Sequence, residues 1–207
     1  MTQSRDTSCE IATLCQRARD LGATEVRAFS AEEVVLDERT ALKCRVPICN
    51  NYGLNLMCPP HVMSLREFAG ALSRYHHAML VRVEIPSAEL GTGHDSGQDA
   101  SPTPLRPGQT DVFRVAKQKL YDILYQIEAL CLERGYHFAA GLGAGSCTLC
   151  DECVGPRSGL PCRHPFRARP SMEAVGIDVI ATAQKAGLAL SFEGKGGRSW
   201  VGLVLID

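Results

Sequence analysis

Four cysteines in the C-terminal half of the chain are spaced for metal binding. Cys147, Cys150 and Cys153 follow one another at intervals of three, and Cys162 comes shortly after them. Three thiolates on one tight turn can take three corners of an iron–sulfur cubane, and a fourth thiolate completes the ligand set. The pattern therefore predicts a [4Fe–4S] cluster in residues 147–162, which we call the second cysteine loop.

Zinc is the alternative metal for this loop. Four thiolates satisfy the tetrahedral geometry of a structural zinc site. Zinc ribbons usually bring two separate Cys-x2-Cys pairs, whereas this loop carries three cysteines in one run. We therefore expect iron–sulfur chemistry first and zinc second.

The first cysteine loop, residues 44–61, contains Cys44, Cys49 and Cys58. The segment is rich in Pro, Asn and Gly and has no sustained periodicity, so we interpret it as a loop that a bound metal holds in shape. The sequence leaves the fourth ligand open between His61, no protein ligand, and a remote thiol: Cys9, Cys15 or Cys131. With no fourth protein ligand, one iron would be open to substrate or solvent.

The overall composition narrows the classes of partner. The 207-residue chain has 22 Lys and Arg against 23 Asp and Glu, a net charge of −1 that gives no basis for binding nucleic acid or a membrane. Because we find no secretory signal and no run of about 18 apolar residues, we expect the protein in the cytoplasm. In that reducing compartment, ten cysteines indicate metal ligation or redox chemistry rather than disulfides.

Helical and strand patterns alternate along the chain, which predicts a single α/β domain over residues 1–207. Helices are predicted over residues 9–21, 64–75, 111–134 (capped by Thr110) and 171–186, and strands over 24–29, 78–85, 136–142 and 200–206. We expect a small mixed sheet flanked by helices, with the two cysteine loops attached. Residues 86–110, rich in Gly, Ser, Pro and Asp, are interpreted as a flexible insertion.

Three glycines lead into the second cysteine loop: Gly141, Gly143 and Gly145. A dinucleotide-binding glycine motif opens directly into a helix, whereas this segment opens into cysteines. We expect the small residues to let backbone N–H groups approach the cluster sulfurs.

Both cysteine motifs occur together in a known family. The run CTLCDECVGPRSGLPCRHPFRARPSMEAVGIDVIATAQKAG, with KCRVPICNNYGLNLMCPPH upstream, resembles the predicted metal-binding proteins of domain of unknown function 2284. The likeness spans roughly residues 40–207 and includes HFAAGLGAGSC and the closing segment WVGLVLID. It implies metal binding through the cysteines of the two loops.

These observations lead to one functional hypothesis and two alternatives. The first is an iron–sulfur protein with one or two [4Fe–4S] clusters that exchanges single electrons with a protein redox partner. The second is an enzyme whose three-cysteine cluster binds substrate at an open iron. The third is a zinc-stapled interaction module. Neither the substrate nor the oligomeric state follows from the sequence.

Overall fold

The structure, a computed structural model, describes residues 7–86, 109–190 and 198–207. Its helices are α1 (Thr7–Asp20), α2 (Leu42–Arg45), α3 (Leu65–Leu72), α4 (Gln109–Glu133) and α5 (Val179–Lys185). Its strands are β1 (Glu25–Ser30), β2 (His77–Glu84), β3 (Ala140–Leu142) and β4 (Ser199–Ile206). The predicted α/β class is confirmed.

The four strands form one sheet in the order β1-β2-β4-β3. All three pairings are antiparallel, and Met79 of β2 lies opposite Val204 of β4 at the centre of the sheet. The prediction of a mixed sheet was therefore wrong for these strands. Among the described residues, a parallel pairing occurs only as an isolated bridge between Gly143 and Ser171.

The sheet buries both of its faces, because side chains alternate sides along each central strand. Met79 and Val81 of β2 pack with α1 and α4 in one apolar cluster. Ala78 and Leu80 pack with α3 and α5 in the other cluster. The result is a three-layer arrangement in which the longest helix, α4, crosses one face of the sheet.

Local sequence explains several element boundaries. Ser64 caps α3 and forms a reciprocal capping box with Glu67, as its position before the apolar run predicts. Gly22 follows α1 with a φ of 98°, a backbone conformation that glycine adopts without steric cost. Helix α4 begins at Gln109, so Thr110 lies inside it rather than capping it.

Two predicted elements are shorter than expected. The helix predicted over residues 171–186 is a 3-10 turn, Glu173–Val175, followed by α5, because Gly176 has a φ of 98° and Ile177 bridges to Leu36. The strand predicted over residues 136–142 is reduced to β3, which pairs with Leu203–Leu205 of β4.

Most of the predicted insertion, residues 87–108, lies outside the described residues. No helix in the described part of the chain is long and apolar enough to cross a membrane. The extent of the domain over residues 1–207 stays a prediction.

Candidate metal centre

Helix α4 positions the second cysteine loop through the three glycines that precede it. A Cβ added to Gly143 would lie 2.6 Å from the ring of Tyr121, and one added to Gly145 would lie 3.3 Å from Nζ of Lys117. Glu128 accepts a hydrogen bond from the backbone N–H of Gly141 at 2.8 Å. The glycines therefore make room for side chains of α4. That they also let backbone N–H groups approach cluster sulfurs stays a prediction.

The segment that follows the second cysteine loop forms ion pairs with the same helix. Arg169 forms an ion pair with Glu128 at 2.7 Å, and both side chains are largely buried. Arg167 pairs with Asp122, also on α4. Because the chain contacts α4 both before Cys147 and after Cys162, the two ends of the loop that carries the cysteines are fixed in position.

All four cysteines of the second loop border one narrow cavity. Cys147, Cys150, Cys153 and Cys162 line a space of about 20 Å³, together with His164 and three residues of the first loop, Asn55, Leu56 and Met57. Asn55 is 5% exposed, and its side-chain amide lies 3.3 Å from the carbonyl oxygen of Cys147. Residues 55–57 of the first loop therefore form one wall of the cavity that the four cysteines border.

Backbone groups and burial act on the sulfurs in opposite directions. Burial raises the pKa of the Cys147 thiol, and a hydrogen bond from the backbone of Leu149 lowers it. The backbone N–H of His164 donates to Sγ of Cys162 at 3.3 Å. N–H groups directed at sulfur favour the anionic thiolate, which is the form that binds metal.

In the first loop, the charge of one cysteine affects the pKa of another. Burial, followed by the charges of Cys49 and Cys44, raises the pKa of Cys58 to about 11. Burial and Cys49 also raise the pKa of Cys44. Cys49 is exposed, whereas Cys44 and Cys58 are partly buried. A bound cation would replace these repulsions with attraction and would release protons from the thiols.

Lys117 lies where the two loops meet. The side chain is buried at 5% exposure, its ammonium group donates to the carbonyl oxygen of Ser146, and it stands 5.1 Å from the ring centre of Trp200. Burial lowers its pKa, and negative charge at Cys147 and Cys58 acts against this lowering. Negative charge at Cys147 also contributes to the raised pKa of Cys58.

Thiol groups are suitable ligands for a thiolate-bound metal. The described side chains are not arranged as a metal-binding group in this structure. Within the described ranges, no three His, Cys, Asp or Glu side chains form a group that could hold a metal ion. The cavity of about 20 Å³ has room for roughly one water-sized atom. Metal binding at this cavity therefore requires rotation of the cysteine side chains.

The remote candidates for a fourth ligand lie elsewhere. Cys15 and Cys131 are buried in the apolar cluster between the sheet and helices α1 and α4. Cys9 is exposed on α1. His61 is exposed, and its Nε2 lies 3.4 Å from the carbonyl oxygen of Gly53.

Sequence reasoning missed three side chains that the structure places beside the cysteines: Lys117, Asn55 and Glu173. The sequence does contain a sign that Lys117 is unusual, because this lysine interrupts the apolar face of α4 next to Ala116 and Leu120. Asn55 and Glu173 had none, since their positions depend on contacts between distant segments.

The fold and the donor set define a cysteine-rich α/β protein with the chemistry of a metal-binding protein. The chain belongs to the DUF2284 family of predicted metal-binding proteins, whose family model matches residues 27–206. That range contains both cysteine loops, and the resemblance seen in the sequence is confirmed. No curated protein and no solved structure matches the chain.

Proposed function

We propose that the protein holds iron–sulfur clusters in its two cysteine loops and exchanges single electrons with a protein redox partner in the cytoplasm. Cys147, Cys150, Cys153 and Cys162 would ligate one [4Fe–4S] cluster, and Cys44, Cys49 and Cys58 would ligate the other. Such clusters supply one-electron redox couples whose potentials depend on charge, hydrogen bonds and exposure.

The observation that carries the proposal is the contact between the two loops. Negative charge at Cys147 of the second loop contributes to the raised pKa of Cys58 in the first loop, and both cysteines act on the pKa of the buried Lys117. Two centres at this junction would lie close enough for an electron to pass between them. A buried ammonium group also needs a negative neighbour, which thiolate-ligated clusters would provide.

The surface around the loops supports a protein partner. Five large apolar side chains between residues 42 and 63 are more than 45% exposed, and two more follow near Cys162: Leu42, Val46, Ile48, Leu54, Met63, Leu160 and Phe166. Exposed apolar groups gathered in one part of a chain are typical of interaction surfaces. A partner docked there would place its own redox group beside the cysteine loops.

The test is the metal and sulfide content of the full-length protein purified without oxygen, with its visible spectrum. We expect about eight irons and a matching amount of sulfide per chain, with the broad visible absorbance of iron–sulfur clusters. About four irons that survive Cys58→Ser would restrict the proposal to the second loop. Stoichiometric zinc in colourless protein would refute it.

A zinc-stapled interaction module is the second candidate, and the size of the cavity favours it. Four thiols around a space of about 20 Å³ suit one ion better than a cubane. In that case the exposed apolar surface would bind a partner without redox chemistry. The same metal analysis separates the two candidates.

A further inference from the structure

The two cysteine loops touch each other and share one surface. A Cβ added to Gly155 of the second loop would lie 3.2 Å from the carbonyl oxygen of Leu54 in the first loop. Two residues before Leu54, the ring centre of Tyr52 lies 5.9 Å from the guanidinium group of Arg45. Two residues after Gly155, Arg157 lies on a 3-10 turn. The exposed side chains of the two loops therefore form one surface that runs from Arg45 across Leu54 to Arg157.

We call the exposed side chains of residues 42–63 and 153–166 the loop surface. Its apolar members project far into water, since Val46 is 70% exposed and Phe166 is 78% exposed. Apolar area exposed at one place gains free energy when a partner covers it. The loop surface therefore carries the kind of groups that form the centre of a protein interface.

The ionised side chains of the loop surface are basic. Residues 42–63 and 153–166 contain no Asp or Glu, although the whole chain has a net charge of −1. Lysine and arginine stand next to two of the predicted metal ligands, because Cys44 and Cys162 each have a basic neighbour in the sequence. The exposed basic residues are Lys43, Arg45, Arg157 and Arg163, and the acidic residues that border the two segments are Glu38, Glu67, Asp151 and Glu152.

The positive charges of the loop surface are not neutralised by ion pairs. Arg163 donates a hydrogen bond to the carbonyl oxygen of Glu152 at 2.8 Å, a contact that positions the guanidinium group and leaves its charge uncompensated. In the part of the chain that the structure describes, none of the four exposed basic side chains pairs with a carboxylate. These charges therefore remain available to a partner.

We infer that the loop surface is the docking site for a redox protein whose own surface is acidic. This inference rests on the proposed electron-transfer function and names the class of its partner. Basic groups beside Cys44 and Cys162 would draw an acidic partner toward the predicted metal ligands, and the apolar side chains would then be covered in the complex. The net charge of the chain, −1, predicts no such attraction, so the sign of the interaction reports the local charge.

The experiment measures electron exchange with two redox proteins of opposite charge, an acidic plant-type ferredoxin and a basic cytochrome c. Reduced ferredoxin passes one electron to the oxidised full-length protein, and the reduced protein passes one electron to oxidised cytochrome c. Anaerobic stopped-flow absorbance gives the second-order rate constant of each reaction at low and high ionic strength. We expect the rate constant with ferredoxin to fall about tenfold as salt increases, because salt screens the attraction, whereas that with cytochrome c should stay constant or rise.

Two double variants with the same change in net charge locate the attraction. Arg45→Glu with Arg157→Glu reverses two charges of the loop surface, and we expect its rate constant with ferredoxin at low salt to be about tenfold below that of the wild type. Arg17→Glu with Lys119→Glu is the control, because Arg17 is exposed on α1 and Lys119 lies beside Gly22 at the end of that helix. The control should stay within about twofold of the wild type. Iron content is measured in both variants to confirm that the centres are intact.

The wild-type salt dependence decides the inference even if a variant does not fold. A rate constant with ferredoxin that does not change with salt, or one that falls with salt for cytochrome c alone, would overturn the acidic partner and leave the electron-transfer function standing. Iron-free protein that exchanges no electron with either carrier would overturn both.

Sedimentation with vesicles tests the other class of partner that apolar and basic groups can serve. We expect the full-length protein to stay in solution with vesicles of phosphatidylserine and phosphatidylcholine. Pelleting with these vesicles but not with phosphatidylcholine alone, lost in Arg45→Glu with Arg157→Glu, would assign the loop surface to an anionic membrane and overturn the protein partner.

Discussion

The two cysteine loops differ in how much of their donor set they enclose. The second loop turns four partly buried cysteines toward one narrow cavity, and Asn55 of the first loop forms part of the wall of that cavity. The first loop has three cysteines, one of them exposed, and borders a cavity of about 270 Å³. Four thiols around one enclosed cavity suit a stable metal centre that carries electrons. Three thiols at an open cavity suit a centre that a partner or a small ligand can reach.

Removing one cysteine from the closed set should have the largest effect. Cys150→Ser leaves three thiols around the second cavity, so we expect loss of that centre and of about half of the bound iron. Iron analysis and the visible spectrum measure the loss. Cys9→Ser, which changes an exposed thiol on α1, is the control and should keep the full iron content. Undiminished iron in Cys150→Ser would exclude Cys150 as a ligand.

Exposure should separate the two loops in their reactions with a chelator. Because Cys49 is exposed and all four cysteines of the second loop are partly buried, we expect metal to leave the first loop about tenfold faster, which equals about 1.4 kcal/mol in the free energy of opening. Two phases of absorbance loss after addition of a strong chelator would measure this difference. Cys58→Ser should show the slow phase alone. A single phase in the wild type would contradict the difference in enclosure.

Lys117 should act on both loops at once. Replacing it with Met keeps most of the side-chain volume and removes a buried positive charge beside Cys58 and Cys147. We expect both reduction potentials to fall by about 60 mV, which is tenfold in the equilibrium constant of a one-electron couple. Redox titration followed by EPR measures the shift. Lys119→Met, on the exposed side of α4, should leave both potentials unchanged. Equal shifts in the two variants would show that Lys117 has no special effect on the reduction potentials.

The contact between the loops should contribute modestly to stability. Asn55→Ala removes the amide at 3.3 Å from the Cys147 carbonyl and the acceptor for the Met57 N–H at 2.9 Å. We expect a loss of about 1 kcal/mol in the free energy of unfolding, measured by urea denaturation of the metal-loaded protein. Asn50→Ala, at an exposed position of the same loop, should change it by much less. If both variants unfold at the same urea concentration as the wild type, the two loops do not support each other.

Local sequence predicted the features that depend on neighbours in the chain. The alternating pattern of β2, the apolar run of β4 and the Ser64 cap could be predicted because their causes lie within a few residues. The seven loop cysteines were singled out for the same reason, since metal-binding spacings are local patterns, and their role as ligands stays a prediction.

Features that depend on contacts between distant parts of the chain were missed, or were predicted as elements longer than the structure has. Gly176 interrupts the helix predicted over residues 171–186 because Ile177 pairs with Leu36, far away in sequence. Residues 136–139 leave the sheet, and Tyr136 instead donates to Glu10 of α1 at 2.6 Å. The meeting of Cys58, Cys147 and Lys117 likewise depends on the packing of α4 against both loops, which no local pattern encodes.

The central claim is that two iron–sulfur centres lie side by side, and the EPR spectrum of the fully reduced protein tests it most directly. Two paramagnetic clusters at the junction of the loops should interact, so the wild-type spectrum should show spin–spin splitting that disappears in Cys58→Ser. A wild-type spectrum without splitting, equal to that of Cys58→Ser or to a simple sum of two isolated centres, would contradict the account.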